Sequence, residues 1–217
     1  MLQSYIIRKM WLNSLVFSMV VYAGAWGYSV VYHGGVEGLT NASEAFAVTA
    51  GTLIGLSLAL SGFCYYLNFL EPELFYRKFL GLLGYGYALC YCITLLAIYP
   101  EKYFYGFFTT LATTEMQLGI AAMAILTFLT FISNTRAMRM LGVVRWRYAL
   151  RLGYLAYGMF IIRALLVEGL GWVTWLNEGG GLPPARLLLT MYALFVLSLR
   201  ASMIVLKLPV LARMVSS

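Results

Sequence analysis

Residues 134–158 read NTRAMRMLGVVRWRYALRLGYLAYG. Arg136, Arg139, Arg145, Arg147 and Arg151 crowd the first part of this stretch, and the second part turns apolar and aromatic. A basic run that gives way to about 20 apolar residues marks a chain passing from the headgroup region into hydrocarbon. No histidine follows the arginines, and His33, the one histidine in the chain, lies far upstream.

Working outward from this stretch, the same alternation of polar punctuation and long apolar runs covers the whole chain. Spans are expected at approximately 11–32, 45–70, 79–99, 116–134, 148–175 and 185–208. Each is long enough to cross about 30 Å of hydrocarbon at about 1.5 Å per residue. The 217 residues are 62% hydrophobic and 11% charged, and the acidic residues are all Glu, so water is not the main solvent. The expected fold class is therefore all-α: an integral membrane protein, a bundle of six transmembrane helices in a single domain over 1–217. Arg8 and Lys9 before the first run, with Ala23-Gly24-Ala25 inside it, imitate a signal peptide, but the apolar run continues to Tyr32 and a retained helix is expected.

Loop charge sets the expected orientation. Arg8, Lys9, Arg77, Lys78, the arginine cluster, Lys207 and Arg213 fall on one side, and Lys102 and Arg186 on the other, which predicts cytoplasmic N and C termini. The net charge of +7 follows from this asymmetry. A basic face toward anionic lipid headgroups accounts for it, and a nucleic-acid partner is not expected.

The connections act as punctuation. HGGVEGLTNASE, between the first two spans, is glycine-rich and free of Lys and Arg, and its Asn41-Ala42-Ser43 matches the short glycosylation-acceptor pattern. LEPELFYRK is short and mixed in charge. PEKYFYGFFTTLATTE carries the aromatic rings that suit a membrane interface, and NEGGGLPPAR stops one helix with glycines and restarts the next after Pro183-Pro184. Gly81, Gly84 and Gly86 let the third span approach a neighbour closely; without a preceding strand they are no nucleotide loop. Cys64, Cys90 and Cys92 fall inside spans, where packing rather than a disulfide framework is expected.

Three ionisable residues fall at bilayer depth, Arg163, Glu168 and Arg200, and each needs a partner or water there. Arg163 and Glu168 point about 140° apart on one helix and are poor direct partners. Arg163 is expected to find a carbonyl, a water or a carboxylate such as Glu115, and Arg200 to snorkel toward the cytoplasmic side.

Two segments carry a resemblance. RKFLGLLGYGYALCY (77–91) is similar to a basic pair, Leu-Gly-Leu and aromatic helix, and SNTRAMRMLGVVRWRYALRLGYLAYG (133–158) to a Ser/Thr-Asn, arginine-rich, Leu-Gly, Trp, Leu-His-Arg-Leu, Tyr-Leu-Ala progression. On these motifs the chain resembles the ferric-reductase-like transmembrane family. Within that family it is most similar to the six-helix haem-binding membrane subunits of periplasmic methionine sulfoxide reductase systems. The resemblance implies a multi-pass protein of the bacterial inner (cytoplasmic) membrane, with haem between the third and fifth spans. Carried onto this sequence, the family's histidine positions fall on Tyr91, Leu150 and Arg163, and none is a histidine. Leucine has no donor atom, arginine stays protonated, and phenolate ligation is exceptional among haem proteins.

The expected role is therefore that of a haem-less scaffold: a non-catalytic structural or assembly subunit, packed against other membrane subunits of a larger redox or energy-transducing complex. No cofactor is expected. Tyr85, Tyr87, Tyr91, Tyr154 and Tyr157 fill the vacated interior, or a lipid, quinone or pigment does. The alternatives are an electron-transfer protein using quinone, flavin or one haem on His33, and a small transporter or channel. Side-chain catalysis is not expected, with no Asp, one His and no Ser or Cys beside an apparent base.

Overall fold

A computed structural model describes residues 2–35, 38–66, 75–178 and 181–215. Among them the chain forms helices and turns: α1 (Leu2–Tyr32), α2 (Gly38–Tyr66), α3 (Tyr76–Ile98), α4 (Phe107–Leu111), α5 (Thr114–Ile132), α6 (Thr135–Leu141), α7 (Val143–Leu150), α8 (Leu152–Glu178) and α9 (Ala185–Val215), with one π turn at Glu101–Tyr105. Six helical stretches are long and apolar enough to cross a membrane: α1, α2, α3, α5, α7 with α8, and α9. The count agrees with the sequence. A helix is the natural form for such runs because hydrocarbon offers no partner to an open backbone N–H or C=O. Residues 67–74, which include most of LEPELFYRK, lie outside the described residues, as do the side chains of Lys207 and Arg213.

Glycines place the breaks. Gly34 and Gly35, at φ +65° and +84°, end α1, and the Gly35 N–H reaches back to Val30 O at 2.9 Å. Gly142, at φ +74°, turns α6 into α7. The fifth span, expected as one helix, instead tightens at Arg151, where Arg151 N bonds Tyr148 O and Tyr154 N bonds Arg151 O, each at 3.0 Å. The fourth connection is thus two short helices rather than a loop.

Helix α2 is the hub and touches α1, α3, α8 and α9. Its most apolar window is 50% buried, whereas those of the other spans are 17–22% buried, so the core is built around it. Small residues make this possible. A Cβ on Gly84 would lie 2.7 Å from Ile54 Cγ1 and 3.1 Å from the Ile54 backbone N, so α3 and α2 touch backbone to side chain there. Of the three glycines expected to mediate close approach, Gly81 and Gly84 face α2 and Gly86 faces open space. On the α8 and α9 side, a Cβ on Gly55 would overlap the Tyr157 hydroxyl and lie 2.6 Å from the Tyr192 ring. Leu58, Leu126, Ala156, Ile161 and Val196 complete the packed centre.

One expectation is overturned by a boundary. Helix α2 begins at Gly38, earlier than the expected 45, and takes the acceptor pattern with it. Asn41 is 1% and Ser43 3% exposed, so neither is open to a glycosylating enzyme. Asn41 Oδ1 instead lies 3.3 Å from Ser29 Oγ of α1.

Candidate functional site: a basic cavity at one end of the bundle

The first turns of α3 bring Arg77 and Lys78 to one end of the bundle, and Gly81 and Tyr85 follow on the same face at helical spacing. From the other side, α7 presents Arg147 and the turn after it Arg151, again four residues apart, while α9 contributes Arg200. These elements border a half-open cavity of about 750 Å³. Its interior wall is apolar, built from Ile54, Leu58, Leu126, Leu129 and Leu150. Ser57, Ser61, Tyr85 and Tyr154 dot that wall with hydroxyls. Five cationic side chains line the cavity, and no carboxylate does so among the described residues.

Hydrogen bonds hold the walls in place. Ser57 Oγ donates to Arg77 O at 2.7 Å, tying α2 to the start of α3. Gly81 permits that approach, since a Cβ there would lie 3.2 Å from the Ser57 hydroxyl. Tyr154 Oη lies 3.0 Å from Leu58 O and 2.9 Å from Ser61 Oγ, and the Arg200 guanidinium stacks over the Tyr154 ring at 5.2 Å. Tyr85 and Thr127 share a hydrogen bond of 2.9 Å across α3 and α5. Trp146 Nε1 donates to Ile132 O at 2.8 Å, satisfying a carbonyl left open where α5 ends and fastening α7 beneath it.

The arginine cluster divides in two. All five arginines are exposed, but of them only Arg147 and Arg151 also line the cavity, where Arg151 lies over the Tyr148 ring at 4.5 Å. Asn134 caps α6 by accepting from Arg136 N. Arg200, expected to snorkel toward the cytoplasmic side, lines the cavity with Arg77 and Lys78 and lies over the Tyr154 ring. The sequence marked Arg77 and Lys78 only as orientation signals. Their spacing to Gly81 and Tyr85, and that of Arg147 to Arg151, is the pattern from which a shared face is readable.

Tyr91, Leu150 and Arg163, the residues that the resemblance would put at histidine positions, enter three different surroundings. Leu150 lines the cavity. Tyr91 lies about 21 Å further along α3 from Arg77, within electrostatic reach of Arg186. Arg163 is half-buried against α5, where Gly119 makes room for it: a Cβ on Gly119 would lie 3.2 Å from Arg163 Nε. Arg163 is also within electrostatic reach of Cys92 on α3, and among the described residues it forms no ion pair with Glu115. Of the three, only Tyr91 carries a side chain that can ligate iron.

The opposite end of the bundle holds the two acid–base contacts found among the described residues. Glu168 of α8 pairs with Arg186 of α9, which supplies the partner that Arg163 does not. His33 Nδ1 lies 3.6 Å from Glu44 and 3.1 Å from Ser29 O, so the histidine ties the end of α1 to α2. Tyr28 of α1 donates to Pro183 O just before α9. Tyr87 stacks with Tyr22 at 5.8 Å between α3 and α1, and Tyr157 donates to Gly51 O at 2.9 Å. Cys64, Cys90 and Cys92 form no disulfide, and among the described residues no three His, Cys, Asp or Glu side chains gather as a metal site. No protein-family model matches this chain, and a search of curated proteins finds no match.

Proposed function

We propose that this chain is a non-catalytic membrane subunit that works without haem and serves as a structural or assembly element of a larger redox or energy-transducing complex. The observation that carries this reading is the dispersal of Tyr91, Leu150 and Arg163 into three separate environments, none offering iron an imidazole. The retained six-span frame and its broad apolar faces supply lateral surface for lipid and for neighbouring subunits. The proposed setting is the bacterial inner membrane, with both termini cytoplasmic. Arg77, Lys78 and the arginine cluster gathering at one end of the bundle support that orientation.

The test is isolation from the native membrane in a mild detergent, followed by mass spectrometry of the chains that remain together. Partner subunits in fixed ratio are expected. A chain that always emerges alone contradicts the reading. Stoichiometric quinone or flavin in the same extract would favour the electron-transfer alternative instead.

A further inference from the structure

We infer that the basic cavity is a binding site for one anionic phospholipid. Its phosphate group meets the cations at the rim, and an acyl chain runs along the leucine wall. The inference rests on the bundle lying in a membrane and is independent of whether the chain has partner subunits.

Charge is the first observation. Arg77, Lys78, Arg147, Arg151 and Arg200 line one space, and the described residues offer no carboxylate there. Glu71 and Glu73, the nearest carboxylates along the chain, lie outside the described residues. Arg77 and Arg200 are only half exposed and act on each other electrostatically, so their repulsion is not fully screened by water. Like charges held together in this way call for a counter-anion. Arginine's planar fork is the donor geometry that suits phosphate oxygens.

The second observation is the division of the walls. The cations sit with Ser57, Ser61 and Tyr154, whereas Leu58, Leu126 and Leu129 continue the cavity into the packed centre. A free phosphate would use only the first half and leave the apolar half unoccupied. An amphiphile uses both, and about 750 Å³ is the size of pockets that take drug-sized ligands, roughly 300–1,000 Å³, enough for a headgroup and the start of a chain. Basic pockets between transmembrane helices bind anionic headgroups in this way.

The experiment uses the full chain, purified in a neutral detergent, with phosphatidylglycerol, phosphatidylcholine or inorganic phosphate added at matched concentration. Native mass spectrometry counts lipids retained, and thermal unfolding reads stabilisation. One phosphatidylglycerol per chain and a raised midpoint are expected, with neither from phosphatidylcholine or phosphate. Arg77→Gln/Arg200→Gln should weaken phosphatidylglycerol binding about thirtyfold, the loss of two cation contacts. The control pair Arg136→Gln/Arg139→Gln, exposed on α6, should leave binding within about twofold of the parent chain. Should the first pair fail to fold, Leu150→Trp fills the cavity with all cations present and should block retention of the lipid. Equal stabilisation by phosphatidylcholine, full stabilisation by phosphate alone, an equal loss in the control pair, or full retention of the lipid by Leu150→Trp would each overturn the inference.

Discussion

The two ends of this bundle solve the same electrostatic problem in opposite ways. Around α8 and α9, Arg186 meets Glu168, and on the neighbouring helices the His33 ring lies 3.6 Å from Glu44, so both side chains have a carboxylate partner from the chain itself. The helices there also approach closely, with Gly51 and Gly55 pressed against Leu189, Tyr157 and Tyr192. At the other end, five cations surround about 750 Å³ of space and no described carboxylate joins them. The first end closes on itself. The second depends on what surrounds it, which makes it the end where binding is expected.

Overpacking the contact of α2 with α3, between the two ends, should produce the largest effect. Gly84→Leu pushes against the Ile54 backbone and should destabilise the bundle by about 3 kcal/mol. Gly86→Leu, on the same helix but facing open space, should change the thermal midpoint in detergent little. Equal effects would mean that α2 and α3 do not meet at Gly84.

Removing one partner of the closed end comes next. Arg186→Ala leaves Glu168 without its cation, at a cost of about 2 kcal/mol, below the range for fully buried pairs because both side chains are about a quarter exposed. Glu168→Gln with Arg186→Gln should cost less than the sum of the two single changes, and a double-mutant cycle reads the difference. Additivity would show that the pair is not coupled.

At the open end a cation removed should have the opposite sign. Arg77 occupies the first turn of α3, where the helix dipole already disfavours positive charge, and it faces Arg200. Arg77→Gln should therefore raise stability in neutral detergent by about 1 kcal/mol. A large loss instead would place an internal counter-anion at the cavity.

Two smaller changes sharpen the contrast. Trp146→Phe removes the hydrogen bond to Ile132 O and should cost about 1 kcal/mol, with faster amide exchange at the end of α5. His33→Gln should cost about 0.5 kcal/mol or less, because the histidine is exposed and its pair with Glu44 is long.

Much of the frame is legible in the sequence, because run length alone determines how many helices can cross a bilayer. The six runs agree with six helices, while boundaries shift by several residues where polar residues join a helix. Asn41 and Ser43 are the instructive case: a polar segment reads as a loop until Ser29 supplies a buried partner from α1. The pairing of Glu168 with Arg186 was hidden because it joins two helices, and helical spacing speaks only for neighbours on one. The cavity was hidden for the same reason. Its cations come from α3, α7, the turn at Arg151, and α9, and only folding shows that residues read separately as orientation signals share one space.

The absorption spectrum of the protein isolated from its native membrane, before and after chemical reduction, tests the haem-free reading most directly. Less than stoichiometric porphyrin is expected, with no reducible Soret band that tracks the amount of chain. One haem per chain, with a band that moves on substituting Tyr91→Phe, would contradict it.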